Sequence, residues 1–325
     1  MLFSSRPSYG NNRNRFANSE FDYLLRRQII PWMRLIRLPN VLTAFGDSLG
    51  GACIASALSE QEMPYWSVLD VCFCSIVLYI FGLIQNDYCD VLEDSRLRPE
   101  RPLPNRDISK AAAALVAIAC LVVALLLSAL TGRTTFIIAL LLAVAISAYN
   151  IKLKRSLVSG SICMGLCRGL NMLLGASLVA IPPAILLPII GVSLYIGFVT
   201  WLADGEKRRH IPTAKVFYPA ITLAASWFLT LFFISGIYLW RAILPSLLCI
   251  AIAVFCAFMA AYAIYNRSVQ PSAMRRFIGT LIGLLIPWQA AWIVFGTGTH
   301  WLMVLLLAGL TWLLMKCLSR WISQS

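Results

Sequence analysis

Residues 86–101 include four side chains whose oxygen atoms can bind a metal ion, and two arginines that follow them. In chain order they are Asn86, Asp87, Asp90, Asp94, Arg98 and Arg101. On a helix, carboxylates spaced i, i+3 and i+7 share one face, and Asn86 lies one turn from Asp90. Carboxylates on one face repel each other unless a cation lies among them, and such oxygen ligands suit Mg²⁺, which also binds substrate phosphates. The stretch therefore predicts a Mg²⁺ site with arginines that bind phosphate oxygens. The alternative is a solvated loop of paired charges.

The elements that must position these residues are those of a membrane protein. Of the 325 residues, 60% are hydrophobic and only 13% are charged, whereas soluble domains carry about 25% charged residues. Apolar windows long enough to cross a bilayer as helices recur along the chain. They lie near residues 39–58, 65–85, 111–131, 134–151, 158–181, 184–203, 217–240, 242–266, 277–296 and 299–318. This pattern predicts an all-α, polytopic membrane helical bundle and excludes a soluble enzyme, a disordered chain and a disulfide-stapled secreted module.

The basic residues are distributed unevenly between alternate loops. The chain has 27 Lys and Arg residues against 14 Asp and Glu residues, and 24 of the 27 fall on one side of the predicted bundle. Arg133 and Arg241 fall on the other side, and Arg168 lies inside a window. By the positive-inside rule, both termini are expected in the cytoplasm. We therefore expect an integral, multi-pass protein, most simply of the bacterial inner membrane, and no nucleic-acid partner.

The acidic stretch and the sequence after it resemble a known family. The run Asn-Asp-x-x-Asp-x-x-x-Asp from Asn86, followed by Arg-Pro-x-Arg-Pro-Leu from Arg98, resembles the first signature of the UbiA superfamily of intramembrane prenyltransferases. Arg37-Leu38-Pro39-Asn40 is similar to the family's opening, and Tyr149 followed by Lys154 is similar to its Tyr/Lys element. The segment 167–175 resembles the EboC-like branch of the family.

This resemblance implies about nine helices around a central cavity that opens sideways to lipid, with two acidic motifs that hold Mg²⁺ against a prenyl diphosphate. The window near 299–318 would be a tenth helix, additional to that core. The predicted organisation is a flexible basic N-terminal tail in 1–27, a UbiA-like transmembrane domain in 28–298, and an additional transmembrane helix with a short C-terminal tail in 299–325.

The resemblance also implies roles for individual residues. The Mg²⁺ ligands would be Asn86, Asp87, Asp90, Asp94 and Asp204, and the four aspartates would be the catalytic carboxylates. The predicted contacts to the diphosphate substrate are Asn40, Arg98, Arg101, Tyr149, Lys154, Arg168 and Asn171. The family's second motif, Asp-x-x-x-Asp, is incomplete here, because Thr200 takes the first position and only Asp204 keeps its carboxylate, with Glu206 nearby. We expect this replacement to weaken a second Mg²⁺ site.

Arg168 is a charge inside an apolar window, which makes it a functional candidate by default. Asn171 lies one turn further on the same face. One interpretation is that the two side chains contact the diphosphate or the acceptor from the cavity wall. The other is a structural pair between Arg168 and Asp47, an acid inside the first window.

The predicted function is Mg²⁺-dependent transfer of a prenyl group from an allylic prenyl diphosphate to a small aromatic or polar acceptor, by ionisation of the diphosphate within the membrane. The predicted partners are the prenyl diphosphate, the acceptor and membrane lipid. The alternative is a non-catalytic transport or lipid-binding protein on the same scaffold, which the incomplete second motif favours. A phosphatidyl-type transferase would need a paired-aspartate signature, and Asp204-Gly205 alone does not supply it.

Overall fold

A computed structural model describes residues 25–41, 43–208, 213–233, 240–265, 271–297 and 301–324. The predicted N-terminal tail lies almost entirely outside these ranges. The α-helices within them are α1 (Ile30–Leu35), α2 (Leu38–Val41), α3 (Ala44–Ser59), α4 (Tyr65–Cys89), α5 (Val91–Leu97), α6 (Lys110–Thr131), α7 (Arg133–Ile151), α8 (Leu157–Ala176), α9 (Leu186–Arg208), α10 (Tyr218–Phe233), α11 (Trp240–Tyr265), α12 (Pro271–Gly283), α13 (Leu285–Thr297) and α14 (Trp301–Gln324).

The helices form a bundle with the surface of a membrane protein. Among the described residues, nine helical segments are long and apolar enough to cross a bilayer. On α6 the outward-facing Leu115, Leu126 and Leu130 are 70%, 60% and 85% exposed. Apolar surface on this scale is unfavourable in water and suits contact with lipid tails. The predicted all-α, multi-pass bundle is confirmed.

Helix α8 packs against α3, α7 and α9. Its approach to α3 depends on glycine at two positions. A methyl group on Gly51 would overlap the Met172 backbone carbonyl, and one on Gly175 would overlap the Ser48 backbone carbonyl. Lipid supplies no hydrophobic force that drives transmembrane helices together, so their association depends on close packing. Small residues allow the two backbones to approach this closely. The contact fixes the spacing between two helices that line the cavities described below.

The ninth span, predicted near 277–296, is divided into two helices. Helix α12 ends at Gly283 and α13 begins at Leu285. Pro287 has no backbone N–H, so the Gly283 carbonyl cannot receive its usual helical hydrogen bond. The Leu284 N–H bonds to the carbonyls of both Thr280 and Leu281, which tightens the turn at the break. The predicted span is nevertheless present, because Ser272–Thr297 as a whole is long and apolar enough to cross a bilayer.

Helix α14 follows the ninth span and contains the apolar stretch Leu302–Leu318. It lies against α13 and against α1 and α2, so it returns towards the end of the bundle at which α3 begins. A cavity of about 800 Å³ lies between α14, α3 and α13, and residues of all three helices line it. A helix is therefore present after the ninth span, and the prediction that it crosses the membrane stays a prediction.

Candidate active site

The acidic stretch lies where α4 meets α5, at the end of an apolar span. Helical hydrogen bonds continue across the junction, from Asp90 N to Asn86 O at 3.1 Å and from Asp94 N to Asp90 O at 2.8 Å. The backbone departs from regular helix only at Asp90, where φ is −93° and ψ is 0°. The helical backbone that the spacing of the carboxylates requires is therefore present through this stretch. It brings the carboxylates to one end of the bundle, which we call the acid-bearing end.

Two arginines bind the buried carboxylates of this stretch. Arg101 Nη1 lies 2.6 Å from Asp94 Oδ2 and 3.4 Å from Asp87 Oδ1. Arg37 Nη2 approaches the same Asp87 oxygen at 3.1 Å from the turn between α1 and α2. The side chains of Asp87 and Asp94 are only 6% and 7% exposed. Carboxylates buried to this degree need opposite charges beside them, and the arginines provide these charges.

Asp90 and Asn86 bind a third cation, the ammonium group of Lys154. This lysine belongs to the short 3₁₀ turn Leu153–Arg155 that follows α7. Its Nζ lies 2.6 Å from Asp90 Oδ1 and donates to Asn86 Oδ1 at 3.1 Å. Asn86 in turn donates through Nδ2 to Asp87 Oδ1 at 3.1 Å. The Asp90 and Asn86 oxygens are thus directed at one point that already holds a positive charge, whereas Asp87 and Asp94 are paired with arginines.

The oxygen ligands at this point fit Mg²⁺ in chemical type, since Mg²⁺ takes carboxylate and carbonyl oxygens together with substrate phosphates. The ammonium group of Lys154 stands in for a cation between Asp90 and Asn86. Among the described side chains, no three Asp, Glu, His or Cys residues converge as a ready metal cluster. Binding of Mg²⁺ therefore requires the basic side chains to turn from the carboxylates to the phosphates.

A cavity of about 970 Å³, which we call the acid cavity, opens beside these side chains. Among the described residues, its charged lining consists of five basic and three acidic residues. They are Arg37, Arg98, Arg101, Lys154, Arg155, Asp90, Glu93 and Asp94. The excess of positive charge around an oxygen-lined centre suits a polyanion such as a diphosphate bound together with a metal ion.

A second cavity of about 160 Å³, which we call the apolar pocket, shares part of its lining with the acid cavity. The shared residues are Arg37, Asn86, Tyr149 and Asn150. The apolar lining is supplied by Leu78, Leu83, Leu142, Ile146 and Met164. The arrangement places an apolar space directly against a polar site, as a substrate with a charged head and a hydrocarbon tail requires.

Arg168 lies on the wall of the apolar pocket, where it is paired with Asp47. Its Nη1 is 2.6 Å from Asp47 Oδ2, and its Nη2 donates to Thr43 Oγ1 at 3.0 Å. Gln289 donates to the other Asp47 oxygen at 2.6 Å, and Asn171 Nδ2 donates to the Ala44 carbonyl at 2.8 Å. The guanidinium also stacks 5.4 Å from the Tyr79 ring centroid. The structural pair with Asp47 is confirmed, and the diphosphate contact of Arg168 and Asn171 stays a prediction.

The other predicted residues fall into three groups. Arg98, Arg101, Tyr149 and Lys154 line the acid cavity together with Asp90 and Asp94. Asn40 lies in α2, where its backbone carbonyl accepts a hydrogen bond from the Thr43 hydroxyl at 2.8 Å. Asp204 belongs to α9, but its side chain and that of Glu206 lie outside the described residues. Thr200, which occupies the first position of the incomplete motif, lines the acid cavity.

Two residues that contribute to the site, Arg37 and Gln289, were given no role in the sequence analysis. Arg37 binds Asp87 and lines both cavities, and its backbone takes a left-handed conformation with φ of 47°. The signal that could have found it is the Arg-Leu-Pro-Asn run, which contains a helix-breaking proline next to a cation. Gln289 is the third partner of Asp47, and a neutral amide in an apolar window gives no comparable signal.

A lipid-facing helical bundle with an oxygen-lined, positively charged cavity at one end and an apolar pocket beneath it defines an integral membrane protein built for an amphiphilic polyanion. The UbiA prenyltransferase family model matches residues 48–279 of the chain. The chain belongs to this family, and the predicted class, an intramembrane prenyltransferase, is confirmed.

Relatives and solved structures support this assignment. Digeranylgeranylglyceryl phosphate synthase of Metallosphaera sedula is 30% identical over 145 residues, which are 45% of this chain and 50% of the relative. The enzyme of the same name from Sulfurisphaera tokodaii is 28% identical over 59% of this chain and 60% of the relative. The chain thus spans only about half to three-fifths of these curated relatives.

The solved structures extend over more of the chain. A UbiA homologue of Archaeoglobus fulgidus bound to GPP and Mg²⁺ has a TM-score of 0.54 at 21% identity and covers 81% of this chain and 99% of that one. The apo UbiA homologue of Aeropyrum pernix K1 has a TM-score of 0.59 at 14% identity, with coverage of 77% and 97%. These likenesses show a shared fold, and they leave about a fifth of this chain unmatched.

Proposed function

We propose that the protein transfers a prenyl group from an allylic prenyl diphosphate to a hydroxyl-bearing acceptor, with Mg²⁺ as cofactor. The observation that carries the proposal is the joint placement of Asn86, Asp87, Asp90 and Asp94 with Arg37, Arg101 and Lys154 above the apolar pocket. This group of residues can hold a metal–diphosphate head while the hydrocarbon chain extends into the bundle.

The side chains act mainly by stabilising charge that develops on the leaving group. Mg²⁺, when bound by the asparagine and the three aspartates, supplies positive charge that offsets the departing diphosphate. Arg37, Arg101 and Lys154 donate hydrogen bonds that strengthen as the allylic C–O bond breaks and its electron pair moves to the diphosphate. The acceptor oxygen then bonds to the allylic carbon, and its proton passes to the released diphosphate. The apolar pocket keeps water from the carbocation.

The acceptor we propose carries a hydroxyl and a phosphate. The relatives named digeranylgeranylglyceryl phosphate synthase point to a glycerophosphate-type acceptor. Among the described lining residues of the acid cavity, five are basic and three are acidic even before Mg²⁺ binds. That excess allows the cavity to hold a second phosphate beside the diphosphate.

We further propose that the acid-bearing end faces the cytoplasm. The basic loops beside the acidic stretch and Lys154 carry most of the positive charge, and the positive-inside rule places such loops on the cytoplasmic side. Both termini would then be cytoplasmic if α14 crosses the membrane.

The test is Mg²⁺-dependent release of diphosphate from geranyl, farnesyl and geranylgeranyl diphosphate by the purified protein. Asp90→Asn removes a carboxylate directed at the cation site, and we expect release to fall about 100-fold or more. Asp107→Asn is the matched control, because Asp107 lies in the loop after α5, is exposed and bonds to Asn105. Equal release by wild type and Asp90→Asn would refute the proposal.

A non-catalytic lipid-binding or transport protein is the second candidate, favoured by the neutral hydroxyl of Thr200 in the acid cavity. The same preparations separate the two functions. Mg²⁺-dependent binding of geranylgeranyl diphosphate without release of diphosphate, in the presence of membrane extract as acceptor source, would favour the non-catalytic function.

A further inference from the structure

The cavity of about 800 Å³ between α3, α13 and α14, which we call the α14 cavity, is separate from the proposed active site. Among the described residues, it shares no lining residue with the acid cavity or the apolar pocket. It follows α3 from Phe45 to Ser56, over about 16 Å of helix, towards the end of the bundle opposite the acid-bearing end. One of its walls is α14, which lies outside the matched residues 48–279. The cavity is therefore long enough for a hydrocarbon chain, and the additional helix encloses it.

Gln289 supplies an unpaired hydrogen-bond acceptor in the wall of this cavity. The residue is only 4% exposed and lines the α14 cavity. Its Nε2 donates to the Thr43 carbonyl at 2.8 Å and to Asp47 Oδ1 at 2.6 Å, which uses both amide protons and fixes the orientation of the amide. No group in the described part of the chain donates to its Oε1, which lies against Gly46, another lining residue. An acceptor without a donor is unfavourable inside a membrane protein, and a ligand that donates a hydrogen bond relieves it.

The other polar side chains of the α14 cavity also offer acceptors. The hydroxyls of Ser56, Thr297 and Thr311 donate to backbone carbonyls at 2.5 to 2.8 Å, so only their lone pairs remain available. The hydroxyl of Tyr65 belongs to a side chain that is 76% exposed. Among the described lining residues, Glu62 is the one charged side chain and none is basic. The cavity therefore favours a ligand that donates a hydrogen bond, and it disfavours an anion such as a diphosphate or a phospholipid phosphate.

We propose that the α14 cavity binds a neutral lipid alcohol, a molecule with a hydrocarbon chain and a hydroxyl as its polar group. The hydroxyl donates to Gln289 Oε1, and the chain lies along apolar lining residues such as Leu49, Ile293 and Leu307. An ammonium group could also donate, but burial of a cation within a span is unfavourable. The site is independent of the proposed reaction, because no residue that lines the acid cavity takes part in it.

The experiment uses the full chain in phosphatidylcholine nanodiscs, with hexadecanol that carries a diazirine in its chain as the photoactivatable probe. We expect saturable cross-links on peptides of α3, α13 and α14. The methyl ether of the same probe keeps the chain but cannot donate a hydrogen bond, so we expect about fivefold weaker labelling with it. The corresponding fatty acid in its ionised form is expected to label less than the alcohol, because the cavity offers acceptors and a carboxylate.

Two variants on α14 test whether the probe lies inside the cavity. Ala308 lines the cavity, so Ala308→Phe fills it and is expected to remove saturable labelling. Gly309→Phe is the matched control, because nothing lies within 4 Å of a Cβ atom added at this neighbouring position. We expect labelling by the alcohol to stay at the wild-type level in Gly309→Phe. Labelling that survives Ala308→Phe, or that does not saturate, would show contact with bulk lipid only and overturn the proposal.

Gln289→Met distinguishes binding of the hydroxyl from a structural role of the amide. The variant keeps an unbranched side chain and removes the acceptor, so we expect the alcohol and its methyl ether to label it equally. A purely structural role of Gln289 would instead lower the melting temperature and weaken labelling by both probes in the same proportion. If this variant does not fold, the comparison of the two probes on the wild-type protein still decides. Equal labelling of the wild type by alcohol and ether, or stronger labelling by the fatty acid, would refute the proposed ligand class.

Discussion

Asp47 and Arg168 form a charged pair inside the apolar bundle, and its partners come from three helices. The Asp47 side chain is fully buried and the Arg168 side chain is 10% exposed. Gln289 of α13 and Thr43, just before α3, complete the hydrogen bonds of the two groups. Because each charge is offset mainly by the other, the pair holds α3, α8 and α13 in fixed relation along the wall of the apolar pocket.

Removal of one partner of this pair leaves the other charge buried. We expect Arg168→Leu to lower the free energy of unfolding by about 3–5 kcal/mol, and the double variant Asp47→Leu/Arg168→Leu to recover most of that loss. The measurement is unfolding in mixed micelles followed by circular dichroism. If Arg168→Leu instead keeps wild-type stability and loses diphosphate binding, the predicted contact between Arg168 and the diphosphate is correct.

The contacts of the candidate active site can be predicted from the sequence where charge or spacing limits which side chains can pair. A charge inside an apolar window needs a partner, so the sequence offers Asp47 as a candidate partner of Arg168, beside a contact with the substrate. Carboxylates at the end of an apolar helix need cations for the same reason. Arg37 could not be placed, because its contact with Asp87 depends on a turn between two short helices and joins residues 50 positions apart.

At the scale of elements, α8 links the two cavities. It begins beside Lys154, passes Ser161 at the acid cavity and carries Arg168 to the apolar pocket. Its position depends on close contact with α3, where Gly175 lies on the backbone of Ser48. A shift of this helix moves both cavities, so the packing at Gly175 has a functional consequence.

Gly175→Ala tests that packing. The added methyl group meets backbone atoms that cannot rotate away, so we expect a loss of about 1–3 kcal/mol in the free energy of unfolding. Gly309→Ala on α14 is the control, since nothing lies within 4 Å of an added Cβ there. Alanine has a better helix propensity than glycine, so we expect Gly309→Ala to leave the free energy of unfolding unchanged or to raise it by up to about 1 kcal/mol. Equal melting temperatures for the two variants would contradict the close contact.

The apolar windows predict the existence of the spans better than their shape. A window averages about 20 residues and reports whether a helix can cross the bilayer. The break at Leu284 arises from one missing hydrogen-bond donor at Pro287, which such an average does not register. The helix through Asp90 was predictable, because the spacing of the aspartates has meaning only on a helix.

At the scale of the whole molecule, α14 is an addition outside the matched region 48–279. It packs on α13 and near α2, and the cavity of about 800 Å³ behind it opens to lipid if it is removed. We expect deletion of residues 299–325 to lower the melting temperature and to retain Asp90-dependent diphosphate release. A folded truncation without release would instead show that α14 positions the turn at Arg37.

The orientation of the bundle can be measured with one native thiol. Cys89 is exposed at the acid-bearing end, and Thr134 is exposed at the start of α7, at the opposite end. In single-cysteine variants, we expect a membrane-impermeant maleimide added to intact cells to label Thr134→Cys and not Cys89. Permeabilised cells are expected to label both positions. Labelling of Cys89 in intact cells would reverse the proposed orientation.

The left-handed backbone of Arg37 has a consequence for how the protein can change by mutation. A non-glycine residue with φ of 47° is conformationally unfavourable. Glycine would relieve this strain, but it would also remove the shorter of the two arginine contacts to the buried Asp87 carboxylate. Because the lost ion pair outweighs the relief of strain, Arg37→Gly is expected to lower both the melting temperature and the rate of diphosphate release, whereas the same change at a surface arginine in ordinary helix would show neither effect. The unfavourable backbone is thus maintained by the ion pair that it makes possible.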